Sequence, residues 1–230
     1  MTPKRLVLLV EGQGDVEAAP VLLGRLLNEY GAFDLVFVDP APLRVGAYSN
    51  ISREEFGKWR RYLLAAAKRQ DVGGCLLLLD GDSPIKVDGA PFCAMRAARR
   101  LADEARRVGA GRLFSVAIVF ACMEYESWLI AGVQSLAGKQ FADGSNAIPD
   151  QIKEVPRDPE SAPRDAKGWL DGVMKTRYKP TRDQAELTRL VDLGVIRRHK
   201  MRSFRRLESA VQGLVRALRC GEHAVTPASA

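Results

Sequence analysis

The stretch "LLLLDGDSP", residues 76–84, runs four leucines into two aspartates separated by one glycine. An uninterrupted apolar run that stops at Asp and Gly predicts a strand buried on both faces and a turn at its end. Two like charges are then delivered to one place, the carboxyl end of that strand. A turn alone accounts for Asp and Gly there, whereas a cation site also accounts for their pairing. Deciding between the two requires knowing whether other carboxylates arrive in the same way.

Working outward, "RLVLLV" (5–10), "FDLVFV" (33–38) and "LFSVAIVFA" (113–121) have the same strand character, and "GCLLLLD" (74–80) completes the set. Between them lie helical patterns: "DVEAAPVLLGRLLNEYG" (15–31), "SREEFGKWRRYLLAAAKRQ" (52–70), "PFCAMRAARRLADEARRVG" (91–109) and "EYESWLIAGVQSL" (124–136). Asp15 is the expected N-cap of the first helix and Gly31 its stop. Apolar strands alternating with helices predict an α/β fold with a parallel sheet flanked by helices. The pattern changes after residue 136. Residues 137–164 are rich in Pro, Gly and Asp and read as a linker or insertion. Residues 165–222 carry only helical patterns, at 165–175, 183–192 and 202–219, and 223–230 reads as a polar tail. The organisation is thus a core over 1–136 with a small C-terminal helical region.

Composition narrows the chemistry. The chain has 230 residues, 47% hydrophobic and 27% charged, which is ordinary globular material. Its apolar runs fall far short of the roughly 20 residues that span a bilayer, and its start lacks a signal-peptide pattern. A cytoplasmic protein without a membrane partner is expected. Cys75, Cys93, Cys122 and Cys220 are widely spaced, which argues against a zinc site or a disulfide framework and for small buried apolar residues. His199 and His223 are the only histidines, so catalysis, if present, falls to carboxylates. Between Lys175 and Arg206 there are eleven Lys/Arg and three Asp/Glu, a local charge of +8 within a net +7. Such a segment suits an anionic partner, although solvated helices are also rich in arginine.

In an open parallel sheet, ligands bind beyond the carboxyl ends of the strands. The first strand ends in Glu11, the third in Asp80 and Asp82, and the fourth is followed by Glu124 and Glu126. Three strands aim acids at one edge, where a divalent cation would relieve their repulsion. Oxygen-only ligands select Mg²⁺ or Mn²⁺. Glu124 and Glu126 also fit as first-turn helix acids favoured by the macrodipole. Gly12 and Gly14 match neither nucleotide-binding fingerprint and read as turn residues behind Glu11.

A strand ending in Glu-Gly, followed about seventy residues later by one ending in Asp-x-Asp, resembles the Toprim fold of topoisomerases, primases and overcoming-lysogenization-defect nucleases. "VEGQGDVEAAPVLLGRLL", "LLLLDGDSP", "MEYESWLIA", "AKGWLDGVM" and "VDLGVIRRHKMRSFRRLESAV" are together similar to a bacterial Toprim-like family of unknown function. The resemblance implies a Rossmann-like Toprim core. It implies that Glu11 is a general acid/base or metal ligand, that Asp80 and Asp82 are metal ligands, and, more distantly, that Glu124 and Glu126 join them. It further implies a nuclease paired with an ATPase in phage defence. No topoisomerase tyrosine or primase zinc region is present.

The expectation is therefore Mg²⁺-dependent cleavage of nucleic-acid phosphodiesters, DNA before RNA, by Glu11, Asp80 and Asp82. Arg197, Arg198, Lys200, Arg202, Arg205 and Arg206 would hold the phosphate backbone without reading sequence. Trp59, Trp128 and Trp169 lie in apolar helical stripes and are expected in the core, as are Phe204, Leu207 and Val211. A non-catalytic subunit that docks nucleic acid or an ATPase is the alternative, and self-association is compatible with either. A phosphatase using Asp80 as nucleophile ranks behind both, because a whole strand–helix unit precedes the Asp-x-Asp.

Overall fold

The computed structural model describes residues 2–145, 147–152 and 154–228. The strands are Lys4–Val10 (β1), Val36–Val38 (β2), Leu43–Arg44 (β3), Val72–Asp80 (β4), Ser115–Ala121 (β5) and Val225–Thr226 (β6). Among the described residues they form one six-stranded sheet in the order β2-β1-β4-β5-β6, with β3 also beside β1. Every pairing is parallel. The register sets Val10 beside Leu78 and Asp80 beside Ala121, so β1, β4 and β5 end at one edge.

The helices are Gln13–Glu29 (α1), Tyr48–Ile51 (α2), Gly57–Ala67 (α3), Ala94–Arg107 (α4), Glu126–Gly132 (α5), Ala166–Val173 (α6), Ala185–Leu190 (α7), Leu193–Arg198 (α8) and Arg202–Cys220 (α9). Strand side chains alternate between two helical layers. Leu8, Val10, Leu76, Leu78 and Val119 face the core shared with α1, α5 and α9. Leu9, Leu77, Leu79, Ile118 and Phe120 face the core shared with α3 and α4. The sheet is thus covered on both sides, which is why its central strands are continuous apolar runs. The α/β expectation holds. Phe204, Leu207 and Val211 of α9 are buried against the sheet, so the C-terminal helices share the main core.

Trp59 and Trp128 are buried and hydrogen-bonded, to the Leu101 carbonyl (2.9 Å) and the Ser203 hydroxyl (2.8 Å) respectively. Trp169 is half-buried and packs against the first core. No helix among the described residues is long and apolar enough to cross a membrane.

The departures from the sequence reading include three that concern chain path and the thiols. The helix expected over 52–70 is broken, because Glu54, Glu55 and Phe56 take left-handed φ values of 56°, 50° and 65°. Each such residue costs on the order of 1 kcal/mol. The kink lets Phe56 pack on Tyr48 (ring centroids 6.4 Å apart) beneath the Arg100 guanidinium, while Trp59, Leu63 and Ala66 of α3 reach the core. Second, the stretch read as a tail contains β6, which pairs with β5 at Val116 and Ala117. Third, of the four cysteines only Cys75 is buried. Cys93 and Cys220 are exposed, Cys122 is half-buried, and all four are free thiols.

Candidate active site

At the carboxyl edge of the sheet, β1 ends at Val10 and the chain turns through Glu11 into α1. The Asp80 amide donates to Glu11 Oε2 (3.1 Å), which ties the end of β1 to the end of β4. Gly81 makes the next approach possible. Its amide donates to the Met123 carbonyl (2.7 Å), and a Cβ there would lie 2.6 Å from the Ala121 carbonyl oxygen. The Tyr125 amide donates to Asp80 Oδ1 (3.0 Å), which joins the end of β4 to the start of α5. Glu126, in the first turn of α5, accepts a hydrogen bond from the Tyr178 hydroxyl (3.0 Å).

The Lys167 ammonium, on α6, lies among three of these acids: 2.8 Å from Glu124 Oε1, 3.6 Å from Glu126 Oε2 and 3.8 Å from Asp80 Oδ2. The Glu126 side chain is 2% exposed and that of Lys167 41%. Asp15 is buried and anchored from two sides, accepting from the Gly12 amide (2.8 Å) and from Gln184 Nε2 (2.7 Å). It therefore caps α1 from inside the first turn, and Gly12 holds the N-cap position expected of Asp15. Glu11, Asp15, Asp80, Glu126 and Lys167 line a cleft of about 340 Å³, closed on one side by Pro180, Thr181 and Gln184.

Five carboxyl groups thus meet one ammonium. Burial raises the proton affinity of Asp80 well above the ordinary range, and Asp15, Glu11 and Glu126 add repulsion that Lys167 only partly offsets. Burial likewise raises Glu11, Asp15 and Glu126. For Lys167, burial opposes the charge, but Glu126, Glu124 and Asp80 outweigh it and the ammonium is held more tightly than usual.

A carboxyl whose pKa is raised on folding favours the folded state below its unfolded pKa, near 4, and loses that contribution as pH rises through the folded value. Asp80→Asn, which keeps an acceptor for the Tyr125 amide, should therefore gain stability relative to the metal-free wild type as pH goes from 4 to 8. Urea melts across that range check it, and a gap that stays constant with pH contradicts it.

Of the residues expected from sequence, the structure brings Glu11, Asp80, Glu124 and Glu126 together. Asp82 is exposed at the rim, where its charge still raises Glu11. Arg198, Lys200, Arg202, Arg205 and Arg206 are exposed, whereas Arg197 is bound to Glu29 and Glu208. The Cys122 thiol, just past the end of β5, donates to the Glu160 carbonyl (3.7 Å), and the Arg202 amide donates to the Glu160 carboxylate (2.8 Å), so the start of α9 borders the same edge. Sequence reasoning missed Lys167, Tyr178 and Gln184. The only local hint of the first was a lysine at a helix start, where a cation opposes the macrodipole.

Gly14 is where α1 meets the C-terminal wall of the cleft. A Cβ at Gly14 would lie 2.1 Å from Gln184 Oε1 and 2.8 Å from Pro180 Cβ. Gly14→Ala should undock Pro180–Gln184, break the Gln184–Asp15 bond and cost about 1–3 kcal/mol. Thermal melts and protease cleavage near residue 180 measure both effects.

Among the described residues, no three His, Cys, Asp or Glu side chains are grouped to hold a metal ion as they stand around the ammonium. The donor set nevertheless fits a hard divalent cation. It is all carboxylate and in excess of its counter-charge, and Glu124 Oε2 is buried without a hydrogen-bond partner. Asp80, Glu124 and Glu126, with Glu11 beside them, are the residues that would hold it.

No curated protein and no solved structure matches the chain. One family model does, over residues 10–212, a span that runs from the end of β1 into α9 and takes in every cleft residue named above. The chain belongs to the family described as Domain of unknown function (DUF4276).

Proposed function

We propose that the protein is a divalent-cation-dependent phosphodiesterase acting on nucleic acid, with its centre at Glu11, Asp80, Glu124 and Glu126. The observation that carries this reading is the convergence of acids from the ends of three neighbouring parallel strands, in excess of the single ammonium beside them. A bound Mg²⁺ or Mn²⁺ supplies Lewis-acid activation of a phosphate and a water of lowered pKa. Asp80 and Glu126 are pre-positioned, the first by the Tyr125 amide and the second by the Tyr178 hydroxyl. Glu11, its proton affinity raised by burial and its carboxylate anchored to the Asp80 amide, is the group suited to hold or release a proton. The exposed Arg202 and Arg206 bind strand phosphates beside the cleft, a contact independent of sequence.

The Toprim resemblance supports this reading and adds a partner ATPase in phage defence, and a cytoplasmic setting is proposed alongside it. A second reading, a binding subunit without catalysis, is favoured by one observation: Lys167 already neutralises part of the acidic cluster. Incubating the purified chain with supercoiled plasmid in Mg²⁺, Mn²⁺ or EDTA separates the two. Metal-dependent nicking supports the first. Intact plasmid together with a retained DNA gel shift supports the second.

A further inference from the structure

Lys167 occupies an unusual place. It is the second residue of α6, where the helix dipole disfavours a cation, yet its ammonium reaches into the cluster and contacts Glu124, Glu126 and Asp80. The backbone that carries it is separately secured, because Asp165 caps α6 by accepting from the Gly168 amide (2.7 Å). Lysine's four-carbon stem is flexible, and 41% of this side chain is exposed, so the ammonium can leave without the helix moving. It is the only cation within ion-pairing distance of those three acids among the described residues.

We infer that Lys167 is a resident counter-ion standing in the place of the divalent cation, so that the cation loads only by displacing it. The inference rests on the metal-centre reading above. The ammonium lies 2.8–3.8 Å from one oxygen of each of the three acids, so it fills the space that a cation bridging those same oxygens would take. With Lys167 in place the acids are partly compensated and the bridging position is filled, so metal affinity is low. When it swings toward solvent the acids are released as ligands. Lys167 is on this account a positioning residue that sets the metal threshold, and it makes the metal-free protein self-consistent.

The test is Mn²⁺ binding to the full chain by calorimetry, for wild type and Lys167→Met, with a melt to show that each is folded. The inference expects Lys167→Met to bind Mn²⁺ at least tenfold more tightly and to be restored in melting temperature by Mn²⁺. Equal or weaker binding than a wild type that does bind overturns the role of Lys167 and leaves the metal centre standing. No binding by either protein, folded and at millimolar Mn²⁺, overturns both. A measurement on the wild type alone serves if the variant does not fold: acetylation of Lys167, followed by mass spectrometry, should rise on Mn²⁺ loading. Reactivity that stays the same or falls, with Mn²⁺ bound, overturns the displacement.

Discussion

Asp80→Asn is expected to leave the protein folded and to reduce metal-dependent nicking of supercoiled DNA by about 100-fold or more, since even partners that merely support metal ligands cost 10–100-fold when removed. The substitution is nearly isosteric. It keeps an oxygen for the Tyr125 amide, and so preserves the link between β4 and α5. What it removes is the negative charge beside Lys167 and Glu11. Because that charge is held at a cost in the metal-free protein, the variant should also be the more stable of the two at neutral pH. Loss of activity with a gain of stability is the signature of a functional charge held against its preference. Glu11→Gln should behave in the same direction. Nicking that survives in Asp80→Asn at the wild-type rate would remove the central aspartate from the mechanism.

Trp128→Ala is expected to have the largest effect on folding, about 3–5 kcal/mol in urea melts. The indole is buried between the Tyr125 ring (centroids 5.2 Å apart) and the Phe204 ring (5.6 Å), and its N–H reaches Ser203. It therefore joins α5, which carries Glu126, to the first turn of α9. That turn is also held from the 137–164 stretch, where the Glu160 carboxylate accepts from the amides of Arg202 (2.8 Å) and Ser203 (2.6 Å). Trp128→Phe keeps most of the apolar burial but leaves the Ser203 hydroxyl without its donor, a loss of about 1–3 kcal/mol. Equal effects of the two substitutions would show that the hydrogen bond, not the ring packing, holds the two helices together.

The sheet was readable because burial on both faces writes itself into consecutive residues. The five-residue runs before Glu11 and Asp80 needed no partner to be recognised, and their ends named the acids. The break at Glu54–Phe56 was not readable. Nothing local to "SREEFGKW" favours left-handed backbone at Glu54, Glu55 and Phe56, and the reason lies in Tyr48 and Arg100. The two-residue β6 was equally hidden, since its strand character comes from the open edge of β5 rather than from its own composition.

The candidate site divides along the same line. The sequence by itself determined that Glu11, Asp80, Glu124 and Glu126 share one edge, because a parallel sheet brings all its strand ends to the same side. Only the tertiary structure decided that Asp82 stays at the rim, that Arg197 is spent on Glu29 and Glu208, and that Lys167, Tyr178 and Gln184 close the cleft. Those partners lie 43 residues from Glu124, 52 from Glu126 and 169 from Asp15 along the chain. Local periodicity reports which face of a strand or helix is buried, but not which distant segment will pack against it. That choice is made by the docking of α6 and the Pro180–Gln184 turn onto α1, where Gly14 leaves room for them and the buried acids offer their hydrogen bonds and charge.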